Sequence, residues 1–114
     1  MDPRPDSLTP DASHALARLP VERQTALEHA GRRRILRQLH REGQPISTVD
    51  LAADGQPLSA VSYHARVLRG CGLIDTAKAQ PARGTVRPCF VSTVCEDRGI
   101  CSLLAATEAS DSGP

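Results

Sequence analysis

The chain has 114 residues, which is enough for one compact domain and leaves little room for a catalytic site beside the folding core. It contains one Phe, one Tyr and no Trp, so Leu, Ile, Val and Ala must build the core, and this favours a mainly helical fold. The net charge is only +1, but residues 21–92 carry eleven basic and six acidic side chains. Such a basic central unit suits a partner rich in phosphate.

Several classes of protein are disfavoured by the sequence. The first twenty residues carry three Asp and four Pro and lack the apolar run of a targeting sequence. No segment approaches the ~20 apolar residues that cross a bilayer, so we expect a cytoplasmic protein with no membrane contact and with reduced cysteines. The chain also lacks a Gly-rich phosphate loop, a nucleophile elbow and a metal-hydrolase motif, which argues against an enzyme.

Residues 1–20 differ in composition from the rest of the chain. They are rich in Pro, Asp and Ser, which is typical of segments that bury too little apolar surface to fold. We predict a flexible N-terminal arm here, with at most a short helix near residues 12–19. One folded domain should follow over residues 21–94.

Residues 21–42 have the spacing of one long helix. Leu27, Ile35 and Leu39 recur at multiples of four residues and form an apolar ridge, and Gly43 follows as a stop signal. The same helix carries three arginines on another face, where a solvated surface is favoured over phosphate contacts. These arginines are Arg33, Arg37 and Arg41.

Two further helices are predicted after this segment. Ser47 is a suitable N-cap for a short helix over residues 48–54, and Gly55 suits the left-handed exit. A third helix should begin with Ser59 as its cap and end near Gly70. Its buried face is predicted at Val61, Ala65 and Leu68.

A basic hairpin should follow the third helix. Residues 73–79 and 85–94 have the composition of two strands, joined by a loop over residues 80–84. Pro88 interrupts the second strand and must therefore lie at an edge or a bulge. The predicted fold is mainly α with a small β-hairpin, and the pair of helices before the hairpin has the order of a helix-turn-helix.

The residues from Ser59 to Ile74, which read SAVSYHARVLRGCGLI, resemble the recognition helix and exit turn of ArsR-like winged helix-turn-helix regulators. Upstream, residues 27–30 and 34–39 are similar to the first core helix of that family, and residues 49–52 to its second. The resemblance covers about residues 25–95. It implies a dimeric winged helix-turn-helix and a transcriptional regulator, with repression the favoured role. It also implies that two recognition helices enter successive major grooves of double-stranded DNA.

The outward face of the third helix combines small, hydrogen-bonding and basic side chains, as expected of a helix in a groove. We expect Ser62, Tyr63 and Arg66 to contact base edges, and Arg83 at the hairpin tip to reach the minor groove or its phosphates. His64 lies beside the buried stripe and is interpreted as structural. The predicted DNA-binding residues are Ser59, Ala60, Ser62, Tyr63, Arg66, Arg69, Lys78, Arg83 and Arg87.

The cysteines leave an alternative open. Cys89, Cys95 and Cys101 could form a thiolate site, because soft metals and zinc favour such ligands. No two of them form a close pair, however, so we expect neither a metal nor a cofactor, and buried small hydrophobes are favoured. A variant that senses thiol oxidation or a metal remains a second possibility.

The C-terminal segment should form a helix over residues 95–107. Its apolar strip, at Ile100, Leu103 and Leu104, is one that a small core would leave uncovered, so we predict a dimerisation helix over residues 95–108 and a frayed tail over 109–114. A different class also stays open, because a winged helix can serve as a protein-interaction module that binds no DNA.

Overall fold

The computed structural model describes residues 8–52, 55–82 and 85–112, with the exception of the side chains of residues 78–82, 85–87 and 112. The described chain is mainly helical, with a small antiparallel sheet. Its helices are α1 (Pro10–Ala17), α2 (Val21–Leu27), α3 (Ala30–Glu42), α4 (Thr48–Leu51), α5 (Leu58–Gly70) and α6 (Arg98–Ser112). Its strands are β1 (Ile46–Ser47), β2 (Ile74–Ala82) and β3 (Thr85–Ser92). None of the described helices has the length and apolar character needed to span a membrane.

The prediction of an arm outside the core is wrong for residues 8–20. Thr9 caps α1 by accepting a hydrogen bond from the Ala12 amide at 3.2 Å. Ala12, Leu16 and Leu19 are buried, with exposures of 1%, 9% and 7%, and α1 packs against α6. Their spacing of four and three residues places them on one face of a helical turn, a signal that the overall composition conceals.

The long helix predicted over residues 21–42 is in fact two helices. His29 has an extended backbone, and its Nδ1 accepts a hydrogen bond from the Gly31 amide at 3.1 Å, so that it caps α3. The carbonyls of Leu27 and Glu28 at the end of α2 accept hydrogen bonds from Arg33 Nη1, each at 2.9 Å. The break is stable because side chains satisfy the backbone groups that it frees.

The short helix α4 begins at Thr48 as predicted and ends at Leu51, earlier than the predicted residue 54. Ser47 Oγ accepts from the Asp50 amide at 3.2 Å, which confirms the cap. Gly55 has a φ of +94°, the left-handed exit that the sequence predicts, whereas residues 53–54 lie outside the described residues. The sequence did not predict β1, in which Ile46 pairs with Phe90 at the start of the same segment.

The three strands are ordered β1-β3-β2, so β3 is central. The predicted loop over residues 80–84 is too long, because residues 80–82 continue β2 and pair with residues 85–87. Ala77 pairs with Cys89 and Gln80 with Arg87, and this register shift sets two residues opposite Pro88. Pro88 thus lies at a β-bulge, as its missing N–H requires.

One apolar cluster joins all six described helices to the sheet. The apolar ridge of α3 is buried as predicted, with Ile35, Leu36 and Leu39 between 0% and 2% exposed. Leu27 and Leu73 are fully buried around it. Apart from Phe90, the core is aliphatic, as the low aromatic content predicts.

Helix α6 belongs to this core. Ile100, Leu103 and Leu104 have exposures of 0%, 0% and 6% within the single chain, and α6 contacts α1 and α3. The expectation that this apolar strip is left uncovered is therefore wrong, because α1 packs against α6. The predicted frayed tail is also wrong over residues 109–112, which continue α6.

The last turn of α6 is held by a buried ion pair. Asp111, whose side chain is 3% exposed, accepts two hydrogen bonds at 2.9 Å from Nε and Nη2 of Arg33, which is 2% exposed. Arg37 Nη2 donates a third hydrogen bond to Asp111 at 3.1 Å. The same nitrogen also donates a hydrogen bond to Thr107 Oγ1 at 2.8 Å. Arg34 Nε donates to the Asp111 carbonyl at 3.0 Å.

The face of α3 that carries Arg33 and Arg37 was predicted to be solvated, and this is wrong for both residues. Arg37 has 11% exposure, and only Arg41, at 65%, extends into solvent. Burial by itself raises the pKa of Asp111, but its hydrogen bonds and charge interactions with the two buried arginines outweigh this effect and lower the pKa below 3.8. A bidentate arginine with satisfied hydrogen bonds is the geometry in which a buried ion pair is tolerated.

Candidate nucleic-acid interface

Helix α5 has two distinct faces. Val61, Ala65 and Leu68 have exposures of 0% to 1%, which confirms the predicted buried face, and His64 is buried beside them at 7%. The opposite side is solvent-exposed over nearly all of the residues predicted for DNA contact, with Ala60 intermediate. The exposed members are Ser59, Ser62, Tyr63, Arg66 and Arg69.

The start of α5 differs from the prediction. The helix begins at Leu58 with Pro57 in the cap position, so Ser59 lies in the first turn and is not the cap. Among the described residues no side chain caps this end. The fixed φ of proline already suits entry into a helix, which explains why the helix starts earlier than the Ser59 signal suggests.

The two arginines on the exposed face have different surroundings. Arg69 Nε lies 3.6 Å from Asp75 Oδ1, with both side chains more than half exposed, so water weakens this ion pair. Arg66 forms no ion pair within the described part of the chain. Arg66 is therefore the basic side chain of α5 that can bind an external anion without giving up an internal partner.

The hairpin residues predicted to bind phosphate follow α5 directly. Lys78 lies in β2 within the bulge, and Arg87 lies in β3 opposite Gln80, but their side chains are not among those described. Arg83 lies outside the described residues.

Sequence reasoning missed a polar cluster that links α3 to the exposed face of α5. Arg32 Nε donates to His64 Nδ1 at 3.2 Å, and its guanidinium carbon lies 5.6 Å from the centroid of the Tyr63 ring. The His64 ring lies 4.5 Å from that of His29 and 5.9 Å from that of Tyr63, centroid to centroid. The signal in the sequence was the run of three arginines, which does not reveal that consecutive arginines have different partners.

The cluster is packed closely against the backbone of α3. A Cβ atom at Gly31 would lie 2.9 Å from Gln56 Oε1, which could move aside, and 3.1 Å from His64 Nε2, so a side chain here would push the His64 ring away from α3 by a few tenths of an ångström. Burial lowers the pKa of His64, and charge interactions with His29 and Arg32 lower it further. His64 is thus held in its neutral form, with Nδ1 as the acceptor and the proton on Nε2.

The cysteines are not equivalent to one another. Cys89 is buried, in accord with the favoured interpretation, whereas Cys95 and Cys101 are exposed, which contradicts it. Cys101 Sγ donates to the Cys95 carbonyl at 3.3 Å. Across the described residues, no three His, Cys, Asp or Glu side chains are placed so that they could hold a metal ion.

No family model, curated protein or solved structure matches this chain.

Proposed function

We propose that the protein is a sequence-specific DNA-binding transcriptional regulator with a winged helix-turn-helix, in which α5 enters the major groove and the β2–β3 hairpin serves as the wing. The observation that carries the proposal is the two-faced character of α5. Its apolar side is fully buried, and its outer side presents Ser62, Tyr63 and Arg66, which has no ion-pair partner among the described residues. Hydroxyl and guanidinium groups can read base edges, and arginine also binds phosphate.

The order of the elements supports the same proposal. The short helix α4 is followed by a turn that contains Gly55 and then by α5. The antiparallel β2–β3 hairpin comes directly after α5. The hairpin sequence contains Lys78, Arg83 and Arg87, which would contact the DNA backbone or the minor groove.

The proposal includes a homodimer and favours repression, as the ArsR-like resemblance implies. A dimer would bind two half-sites about one helical turn apart and so favour a palindromic operator. The pairing surface would have to be different from the apolar strip of α6, because that strip is covered within one chain. A repressor of this type acts by occupying DNA that the transcription machinery requires.

The first test is selection of bound duplexes from a random-sequence library, followed by a salt titration with the winning sequence. We expect preference for the selected duplex over random DNA by ~1,000-fold or more, and an affinity that falls steeply with salt. Arg66→Ala should reduce this preference by about 1–3 kcal/mol and relax discrimination at one base position, whereas Arg18→Ala, which removes an exposed arginine at the end of α1, should retain it. Failure of the wild-type protein to enrich any sequence would overturn the proposal.

One observation favours a second candidate, a protein-interaction module. Val49 and Leu58 flank the turn before α5 and are 43% and 48% exposed, and Tyr63 is 54% exposed. Exposed apolar side chains of this kind are typical of contacts between proteins. The selection experiment separates the two candidates, since an interaction module would show only weak DNA binding with no sequence preference.

A further inference from the structure

We infer that Arg32 is a positioning residue that holds the Tyr63 ring in the orientation for base contact, so that α3 as well as α5 determines which DNA sequence is preferred. This inference rests on the proposed function. It assigns a role to one of three consecutive arginines, residues 32–34, that the sequence alone does not distinguish from one another.

The guanidinium of Arg32 is anchored at two points. Its Nε donates to His64 Nδ1 at 3.2 Å, and its Nη1 donates to the Ala26 carbonyl at 3.4 Å. With these anchors the planar group lies 5.6 Å from the centroid of the Tyr63 ring, within the range of a cation–π interaction. A planar fork of donors is suited to this arrangement, and an ammonium group is not.

The anchor on α5 is itself well fixed. His64 is 7% exposed and lies next to Tyr63 in the chain. Its neutral ring supplies the acceptor that Arg32 needs, and the absence of a side chain at Gly31 lets α3 lie close to it. The chain of contacts therefore runs from a buried histidine through a half-buried arginine to an exposed tyrosine.

A positioning role differs from a phosphate contact in what its loss does to binding. Tyr63 is 54% exposed, so a free ring would have to be ordered when DNA binds, which weakens binding. Loss of the Arg32 contact should therefore weaken binding to the selected duplex by about 2- to 10-fold, with little effect on random DNA. A lost phosphate contact would instead weaken both equally and reduce the salt slope by about 0.9.

The composition provides a reporter that does not depend on DNA. Tyr63 is the single tyrosine and the chain has no tryptophan, so intrinsic fluorescence at the tyrosine wavelength comes from this ring alone. Removal of the guanidinium beside the ring should change its emission intensity and its quenching by acrylamide. Stacking of the ring on a base in the complex should also alter the emission.

The experiment compares the full-length wild type with Arg32→Ala, Arg32→Lys and Arg34→Ala. Arg34 lies on the same helix and is exposed, but its Nε donates to the Asp111 carbonyl, so it is a matched control for the loss of charge. Circular dichroism and thermal unfolding verify that each variant is folded. We expect both Arg32 variants to change the Tyr63 emission and to reduce the preference for the selected duplex by about 2- to 10-fold with an unchanged salt slope, whereas Arg34→Ala does neither.

The outcomes separate this inference from the proposed function. Suppose first that the wild type selects DNA. The positioning role is then overturned by any of three results: unchanged Tyr63 emission in Arg32→Ala, unchanged preference in that variant, or full rescue by Arg32→Lys. If the wild type selects no DNA, the proposed function fails, and the role of Arg32 in DNA recognition is overturned with it. If Arg32→Ala still changes the Tyr63 emission in that case, the contact between Arg32 and Tyr63 exists, and the error lies in the choice of DNA as the partner.

Discussion

Arg33 in α3 and Arg66 in α5 look alike in the sequence and have opposite surroundings in the structure. Arg33 is 2% exposed, binds Asp111 through two hydrogen bonds and satisfies two carbonyls at the end of α2. Arg66 is exposed, with no ion-pair partner among the described residues. The first stabilises the fold, and the second is available to a partner.

The number of positive charges on a helix therefore says little about its function. What matters is whether each cation already has an internal anion. A buried cation without one would cost several kcal/mol, so its partner is part of the fold. An exposed cation is solvated and can exchange water for a phosphate.

The largest expected effect comes from removal of α6. Truncation after Val94 deletes Ile100, Leu103 and Leu104 from the core and removes the partner of Arg33. Each large buried side chain contributes about 2–5 kcal/mol, so the loss from these three residues is comparable to the whole stability of a typical small domain, and the lost ion pair adds to it. We expect an unfolded chain by circular dichroism, whereas Ser102→Ala, on the exposed side of α6, should unfold like the wild type. A truncated chain that unfolds cooperatively would show that α6 is dispensable.

The next effect comes from breaking the buried ion pair. Asp111→Ala leaves Arg33 buried without its carboxylate, which should lower the free energy of unfolding by about 3–5 kcal/mol. The matched control is Glu108→Ala on the same helix, because the Arg41–Glu108 pair is 65% and 58% exposed. The control should change the free energy of unfolding by less than about 1 kcal/mol. Urea denaturation measures both, and equal effects would mean that the buried pair has no special role.

Arg66→Ala should have the opposite profile. Because the side chain is exposed and has no ion-pair partner in the part of the chain that the structure describes, we expect the urea midpoint to change little. Binding to the selected duplex should weaken by about 1–3 kcal/mol, and discrimination at one base position should relax. Titration of labelled DNA, with Arg18→Ala as the control, tests this expectation. A loss of stability in place of binding would remove the distinction between the two helices.

The smallest effect is a dependence of stability on pH near neutrality. Burial, His29 and Arg32 lower the pKa of His64, and burial lowers the pKa of His40, so both folded-state values lie below 6.5. The unfolded chain then binds protons more readily, and stability that is complete above pH 6.5 falls as the pH drops below it. One such group contributes at most about 1.4 kcal/mol per pH unit. Thermal unfolding between pH 7.5 and 5.5 should show a shallower slope for His64→Gln than for His14→Gln, which alters an exposed histidine of α1.

Asp111 should dominate at lower pH. The folded-state pKa of Asp111 lies below the ordinary 3.8. The stability that the ion pair supplies is therefore complete above pH 3.8 and is lost as the pH falls from there through the lower folded-state pKa. The histidine and aspartate contributions therefore occupy separate pH windows, and Asp111→Ala should remove only the more acidic one.

Much of the fold could be predicted because local signals agree with the tertiary structure. The Ser47 cap, the left-handed Gly55 and the buried face of α5 follow from helix chemistry over a few residues. The bulge at Pro88 follows from its missing N–H. The outward residues of the candidate interface follow from the same periodicity, and their exposure agrees with it.

The errors share one cause, which is contact between residues far apart in the chain. Whether α1 joins the core depends on α6, and whether Arg33 is solvated depends on Asp111, 78 residues later. The Arg32–His64 hydrogen bond spans 32 residues. No periodicity within one segment can reveal such pairs.

The sequence was sufficient to predict the helical class, the end of α3, the start of α4, the end of α5 and the polar outer face of α5, because short-range hydrogen bonding and the spacing of apolar residues act within a few positions. The placement of α6 in the core, the low exposure of Arg33 and Arg37, and the contact between Arg32 and Tyr63 depend on the tertiary structure. These depend on which charges and surfaces meet when distant segments pack. In a chain this small, a single buried carboxylate then decides whether neighbouring arginines face solvent or the core.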